Sequence, residues 1–184
     1  MPGEPDIMHT PARAAFPEAI VERVMKQSPK EKRIQDLMRP GRLTLEGMLG
    51  DDRRMLSEII EADQSLVNNL GVTHADIADR LEALTRAGRA GLGTEVTVED
   101  AFDIRVRDDR GMVPCPFGDC RCAKSVTVAR CRASGEELTW TDLSVHMIRE
   151  HGFYEGRGSP FRVEPARAVR LLGVARRRAN EMSE

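Results

Sequence analysis

Residues 93–107 read Gly-Thr-Glu-Val-Thr-Val-Glu-Asp-Ala-Phe-Asp-Ile-Arg-Val-Arg, and the spacing of apolar residues changes at this point in the chain. Within this stretch, residues 95–98 and 103–107 alternate between polar and apolar side chains. A period of two is typical of β-strands that bury one face. We therefore expect strands to begin shortly after Gly93.

The chain before Gly93 has the apolar spacing of α-helices. Residues 51–70 carry one stripe of large apolar side chains, and Gly71 is a natural C-terminal stop for that helix. Thr73 is expected to cap the next helix, which should end at Gly88. Helices also precede this pair, so the N-terminal half is predicted to be helical.

The chain after residue 107 mixes strands and helices. Residues 108–111 read Asp-Asp-Arg-Gly, which indicates a turn, and residues 124–132 are a further strand candidate. A helix is expected from about residue 140 to Gly152. A last short helix should occupy residues 165–172.

These patterns together predict an α+β protein, because segregated helices and strands do not suit a parallel α/β sheet. The helical half is followed by a small strand-rich module and by a short C-terminal helix. The predicted regions are a flexible tail (1–16), a helical region (17–93), a β-rich module (94–164), which contains all four cysteines of the chain and is expected to bind zinc, and a C-terminal helix with a basic tail (165–184).

Four residues have the spacing of zinc ligands: Cys115, Cys120, His146 and His151. Two thiolates and two imidazoles complete the tetrahedron of a structural zinc site, whereas catalytic zinc keeps a position open for water. Cys122 could replace Cys120, and Cys131 is a second reserve candidate, although it is expected to pack inside as a strand residue. For each cysteine taken alone, a buried side chain without a metal is the simpler interpretation. We expect zinc to order residues 113–152 while the helical half folds without it.

This segment resembles a C2H2 zinc finger. Cys115-x4-Cys120 is similar to the cysteine turn of that family, and Leu143-x2-His146-x4-His151 is similar to its core leucine and histidine pair. The resemblance covers residues 113–152 and implies a structural zinc ion. It departs from the family in the gap between Cys120 and His146, which is 25 residues here and about 12 in such fingers.

A loop rich in glycine, aromatic residues and arginine follows the second histidine. Tyr154, Arg157 and Arg162 are its candidate contacts for an anion or a protein partner, because arginine forks and backbone amides bind carboxylates well. The alternative is a tight loop that packs Phe153 and Phe161 over a small core. Both interpretations fit this composition.

Charge limits the class of partner. The net charge is −2 for the chain, and residues 51–110 carry −6, whereas nucleic-acid-binding surfaces are basic. Residues 70–81 loosely resemble part of a winged helix-turn-helix, so a nucleic-acid-binding regulator is one alternative, and a metal-dependent enzyme is another. We favour a non-enzymatic, zinc-stabilised binding or regulatory protein with a protein partner, in the cytoplasm of a bacterium and without a membrane segment.

Overall fold

The computed structural model describes residues 27–174, which form an α+β fold. The tail 1–16, the predicted helical region as far as residue 26, and residues 175–184 of the basic C-terminus lie outside this range. In chain order the elements are α1 (Pro29–Leu37), α2 (Leu56–Asn69), α3 (His74–Gly88), β1 (Val96–Val98), β2 (Phe102–Pro114), β3 (Arg121–Cys131), β4 (Glu137–Thr141), α4 (Asp142–His151) and α5 (Pro165–Leu172). Between residues 27 and 174, each helix is too short or too polar to cross a membrane.

The predicted start of α3 is confirmed in detail. The Thr73 hydroxyl accepts a hydrogen bond from the amide of Asp76 (3.1 Å), and the Asp76 carboxylate accepts one from the amide of Thr73 (2.9 Å). This reciprocal capping box satisfies amides that have no partner inside the helix. Helix α2 begins at Leu56, five residues later than the stripe indicated.

The four strands form one antiparallel sheet in the order β1-β2-β3-β4. The predicted turn at residues 108–111 is wrong, because these residues lie inside β2. Asp109 pairs with Lys124 and Met112 pairs with Ala123, so two residues of β2 bulge out between these pairs. Gly111 tolerates the bulge because its φ of +105° suits a residue without a Cβ.

Two apolar cores hold the helices against the sheet. The first core is built on α3, the sheet and α5, and it surrounds the buried indole of Trp140. The second core brings α2 together with α4 and with the loop between β2 and β3. Both cores therefore use residues from the helical region and from the β-rich module. The apolar stripes of the helical half are buried against the module, so we expect the two to unfold together, in place of a helical half that folds without zinc.

Candidate metal centre

The loop between β2 and β3, residues 115–120, is a tight turn that closes on itself. The amide of Cys115 donates to the carbonyl of Cys120 (2.9 Å), and the amide of Gly118 donates to the carbonyl of Cys115 (3.0 Å). Gly118 has a φ of +91°, which a side chain would disfavour. The turn places Cys115 and Asp119 on the side that faces α4.

Helix α4 supplies the two histidines. Thr141 caps its first turn by accepting a hydrogen bond from the amide of Ser144 (3.0 Å), and Gly152 ends it with a φ of +61°. Residues five apart on a helix are separated by about 140° around its axis. The two imidazoles nevertheless converge, and the centres of the His146 and His151 rings lie 5.3 Å apart.

Cys115, Asp119, His146 and His151 bring four potential ligand atoms within 4.8 Å of one another. The Asp119 carboxylate lies 3.1 Å from Nε2 of His146 and 2.9 Å from Nε2 of His151. The Cys115 Sγ lies 3.7 Å from the same His151 nitrogen. Donors around tetrahedral zinc are roughly 3.3–3.7 Å apart, given its usual bond lengths, so small shifts would fit these atoms around one ion.

Cys120, the remaining predicted ligand, lies beside this cluster. Its Sγ is 3.4 Å from the Sγ of Cys122, and both residues pack against the second core. Cys131 packs against the first core instead, away from the metal centre. Asp119 takes the place at the cluster that the spacing assigned to Cys120. The sequence indicates Asp119 only by its place between Cys115 and Cys120.

The surroundings of the cluster keep the Cys115 thiol protonated in the absence of a cation. Burial raises the pKa of Cys115 to about 12. Hydrogen bonds from Cys115 and then His146 lower the pKa of Asp119 to about 2, whereas burial lowers the pKa of His151. A metal ion bound here must displace the thiol proton, since thiolate is the form that coordinates.

Aromatic packing orients the second histidine. The Phe117 ring stacks on the His151 ring with their centres 3.9 Å apart, and it packs edge-to-face with Phe153, with the ring centres 6.4 Å apart. Phe153 is fully buried in the second core. The position of His151 is therefore coupled to the packing of that core.

The loop after α4 packs inward against the helical region. Tyr154 is only 1% exposed, and its hydroxyl lies 2.8 Å from Nδ1 of His74. Arg162 donates two hydrogen bonds to the Asp63 carboxylate, at 2.7 and 3.1 Å. Arg157 is exposed. Of the three candidate contacts, only Arg157 therefore presents its side chain to a partner, and the packing of Phe153 fits the alternative of a structural loop.

Close backbone contact holds this loop to residues 47–50. The amide of Gly156 donates to the carbonyl of Met48 (2.8 Å). A Cβ on Gly156 would lie 2.1 Å from the carbonyl oxygen of Leu49, so only glycine fits at this position. The loop is thus held at both ends, by α4 and by the helical region.

Glu155 predicts a measurable pH dependence of stability. Burial raises its pKa to about 7. Hydrogen bonds from Ser159 and Ser144 and the charge of Arg162 lower the pKa, but they do not offset the effect of burial. A carboxyl group with a raised pKa in the folded state stabilises the fold at low pH, and this contribution is lost as pH rises through about 7. The free energy of unfolding of Glu155→Gln, relative to that of wild type, should therefore rise by on the order of 3 kcal/mol as pH rises from 4.5 to 8. Urea unfolding at the two pH values measures this change. An equal gain at both pH values would contradict this account.

No protein-family model, no curated protein and no solved structure matches this chain. The chemistry and geometry of the site define a compact centre of sulfur, nitrogen and oxygen ligands.

Proposed function

We propose that this chain is a zinc-stabilised binding or regulatory protein. The ion would be held by Cys115, Asp119, His146 and His151, whose donor atoms lie within 4.8 Å of one another. That convergence carries the proposal, because thiolate and imidazole together favour zinc over magnesium or calcium. The ion would join the β2–β3 turn to the end of α4 and fix the loop of residues 153–162.

A structural role is better supported than a catalytic one. Four protein donors complete a tetrahedron and leave no position for a substrate or an activated water. The side chain of Asp119 is 42% exposed and forms the outer corner of the cluster. The alternative, a metal-dependent enzyme, requires Asp119 to leave the ion and open that corner.

A protein partner would contact the exposed part of the loop. Arg157, Gly158 and Pro160 are exposed, whereas the residues before and between them are buried. The amide of Arg157 donates to the Asp52 carboxylate at 3.2 Å, which leaves its guanidinium to face solvent. In this proposal zinc supplies the shape of the loop, and Arg157 supplies a contact.

Substitutions of Asp119 and Cys120 test which of the two is the fourth zinc ligand. Asp119→Ala should weaken zinc binding by about tenfold or more, because even residues that only orient ligands contribute that much. Cys120→Ser should bind zinc like wild type, and Cys131→Ser is the matched control in the other core. Competition with a chromogenic chelator measures each affinity. Zinc loss in Cys120→Ser with retention in Asp119→Ala would instead assign Cys120, as the sequence spacing predicts.

Binding to duplex DNA is the less supported alternative. Glu150 of α4 is exposed, while Arg149 donates hydrogen bonds to Asp79 and Glu82 of α3 at 2.8 Å. Arg80 of α3 is likewise paired with Glu99 at 2.6 Å. Arg86 of α3 is 76% exposed, but it lies 3.4 Å from Glu82. The arginines of these two helices are therefore paired with acids, which disfavours contacts to phosphates.

The whole chain should accordingly bind duplex DNA weakly at physiological salt. A fluorescence anisotropy titration at several salt concentrations measures this. Binding in the micromolar range or tighter, with an affinity that falls steeply as salt rises, would favour the nucleic-acid alternative.

A further inference from the structure

A pocket of about 380 Å³ lies between the loop of residues 43–48 and the β2–β3 pair, outside the metal centre. This volume is in the range of small-molecule sites. The apolar part of its lining includes Leu43, Met48, Val113, Val126, Leu143 and Phe161. The pocket can therefore cover the hydrocarbon part of a small ligand.

Glu155 is one of the residues that line this pocket, and it is buried. The residue is 3% exposed and has a φ of +69°, a backbone conformation that residues other than glycine rarely adopt. Buried residues held in such a conformation cluster at functional sites. The position of Glu155 is thus an unusual one for a carboxyl group that serves packing alone.

The carboxylate of Glu155 keeps spare capacity to accept hydrogen bonds. Ser144 donates to Oε1 at 3.2 Å, and Ser159 donates to Oε2. Each carboxylate oxygen has two acceptor positions, so each retains one. Arg162, the nearest guanidinium, is paired with Asp63 and donates to the backbone carbonyl of Glu155 rather than to its side chain.

The charge around the pocket is negative. Glu46, Asp109 and Glu155 line it, with Lys124 as the one cation among its lining residues. Asp109 also contacts Arg107 at 3.4 Å, but both of those side chains are largely exposed, so water screens this pair. The lining therefore complements a cation better than an anion.

The wall formed by residues 43–48 is anchored rather than loose. A Cβ on Gly47 would lie 2.7 Å from the backbone nitrogen of Pro40, so the two backbone segments touch. The amide of Met48 donates to the carbonyl of Met38, and its carbonyl accepts from the amide of Gly156, both at 2.8 Å. The pocket therefore exists before any ligand enters.

We propose that this pocket binds a small organic amine, whose ammonium group donates hydrogen bonds to Glu155 while its apolar body lies against Leu43, Val126 and Phe161. A charge-assisted hydrogen bond in a buried site supplies both affinity and selectivity for the cation. The pocket shares no residue with the four-residue metal cluster. The two proposals are therefore independent, and each can be tested without the other.

Two probes of equal size test the proposal on the whole chain. 2-Phenylethylamine and 2-phenylethanol have the same apolar body, and only the amine carries a positive charge at neutral pH. Amide chemical shifts report their binding at the pocket residues. We expect saturable shifts with the amine and binding at least about tenfold weaker with the alcohol, the difference that one charge-assisted hydrogen bond makes.

Variants separate the role of Glu155 from general adhesion. Glu155→Gln should weaken binding of the amine about tenfold, to an affinity similar to that of the alcohol. Glu46→Gln, at an exposed residue, should change the affinity for the amine far less. Leu43→Trp places a larger side chain on the loop of residues 43–48 and narrows the pocket. If Glu155→Gln fails to fold, Leu43→Trp must abolish the chemical-shift changes that the amine causes. Equal binding of the two probes, or unchanged amine binding in Glu155→Gln or in Leu43→Trp, would overturn the proposal.

Discussion

Removal of zinc by a chelator is expected to unfold the second core and to lower the thermal unfolding midpoint of the whole chain. Structural zinc contributes on the order of 10 kcal/mol to small domains, which is comparable with the entire stability of a typical domain. Cys115 is itself buried in the second core, and Phe117 links His151 to Phe153 there. Circular dichroism with and without chelator measures the loss, which should include helical signal from α2.

Single substitutions should reproduce the effect of the chelator. His151→Ala and Cys115→Ser each remove one donor of the cluster and should lower the unfolding midpoint in zinc to that of the chelated protein. Cys131→Ser serves as the control, because that residue packs against the first core. A chelated protein with unchanged melting and unchanged Trp140 fluorescence would contradict the structural role of zinc.

Asp63→Ala is expected to destabilise the fold by about 3–5 kcal/mol, because it leaves a buried guanidinium without its partner. The side chains of Arg162 and Asp63 are 14% and 6% exposed, and Nη2 of Arg162 lies 2.7 Å from the carboxylate. This pair joins α2 to the loop after α4. Urea unfolding followed by Trp140 fluorescence measures the change in the free energy of unfolding.

A surface pair provides the matched control for Asp63→Ala. Arg39 and Asp36 are 3.1 Å apart, but their side chains are 61% and 49% exposed. Asp36→Ala should therefore cost less than about 1 kcal/mol, since water solvates the arginine that remains. Equal effects of the two substitutions would mean that burial of the Asp63 pair contributes nothing to stability.

The helices and strands were predictable where one face of an element is buried. The stripe of α2 and the alternation in β2 reflect burial directly, and Thr73 with Asp76 has a local capping chemistry that depends on no distant residue. The bulge at Asp109–Met112 was not predictable, because Asp-Asp-Arg-Gly has the composition of a turn. Continued pairing with β3 on both sides decides the outcome, and pairing is a tertiary property.

The candidate metal centre was predictable in part for a similar reason. Cys115, His146 and His151 carry soft or borderline ligands, so their residue types alone indicate a metal. Asp119 was missed because exposed acids are common, and only the shape of the closed turn brings its carboxylate to the histidines. The inward packing of Tyr154 and Arg162 depends on His74 and Asp63, which are distant in sequence.

X-ray absorption spectroscopy of the zinc-loaded chain tests the central claim most directly, because it counts the atoms bound to the ion. The assignment of Cys115, Asp119, His146 and His151 predicts one zinc per chain, with one sulfur at about 2.3 Å and three nitrogen or oxygen atoms at about 2.0–2.2 Å. Two sulfurs would replace Asp119 with Cys120. A protein that binds no zinc, or zinc without sulfur, would contradict the proposed centre.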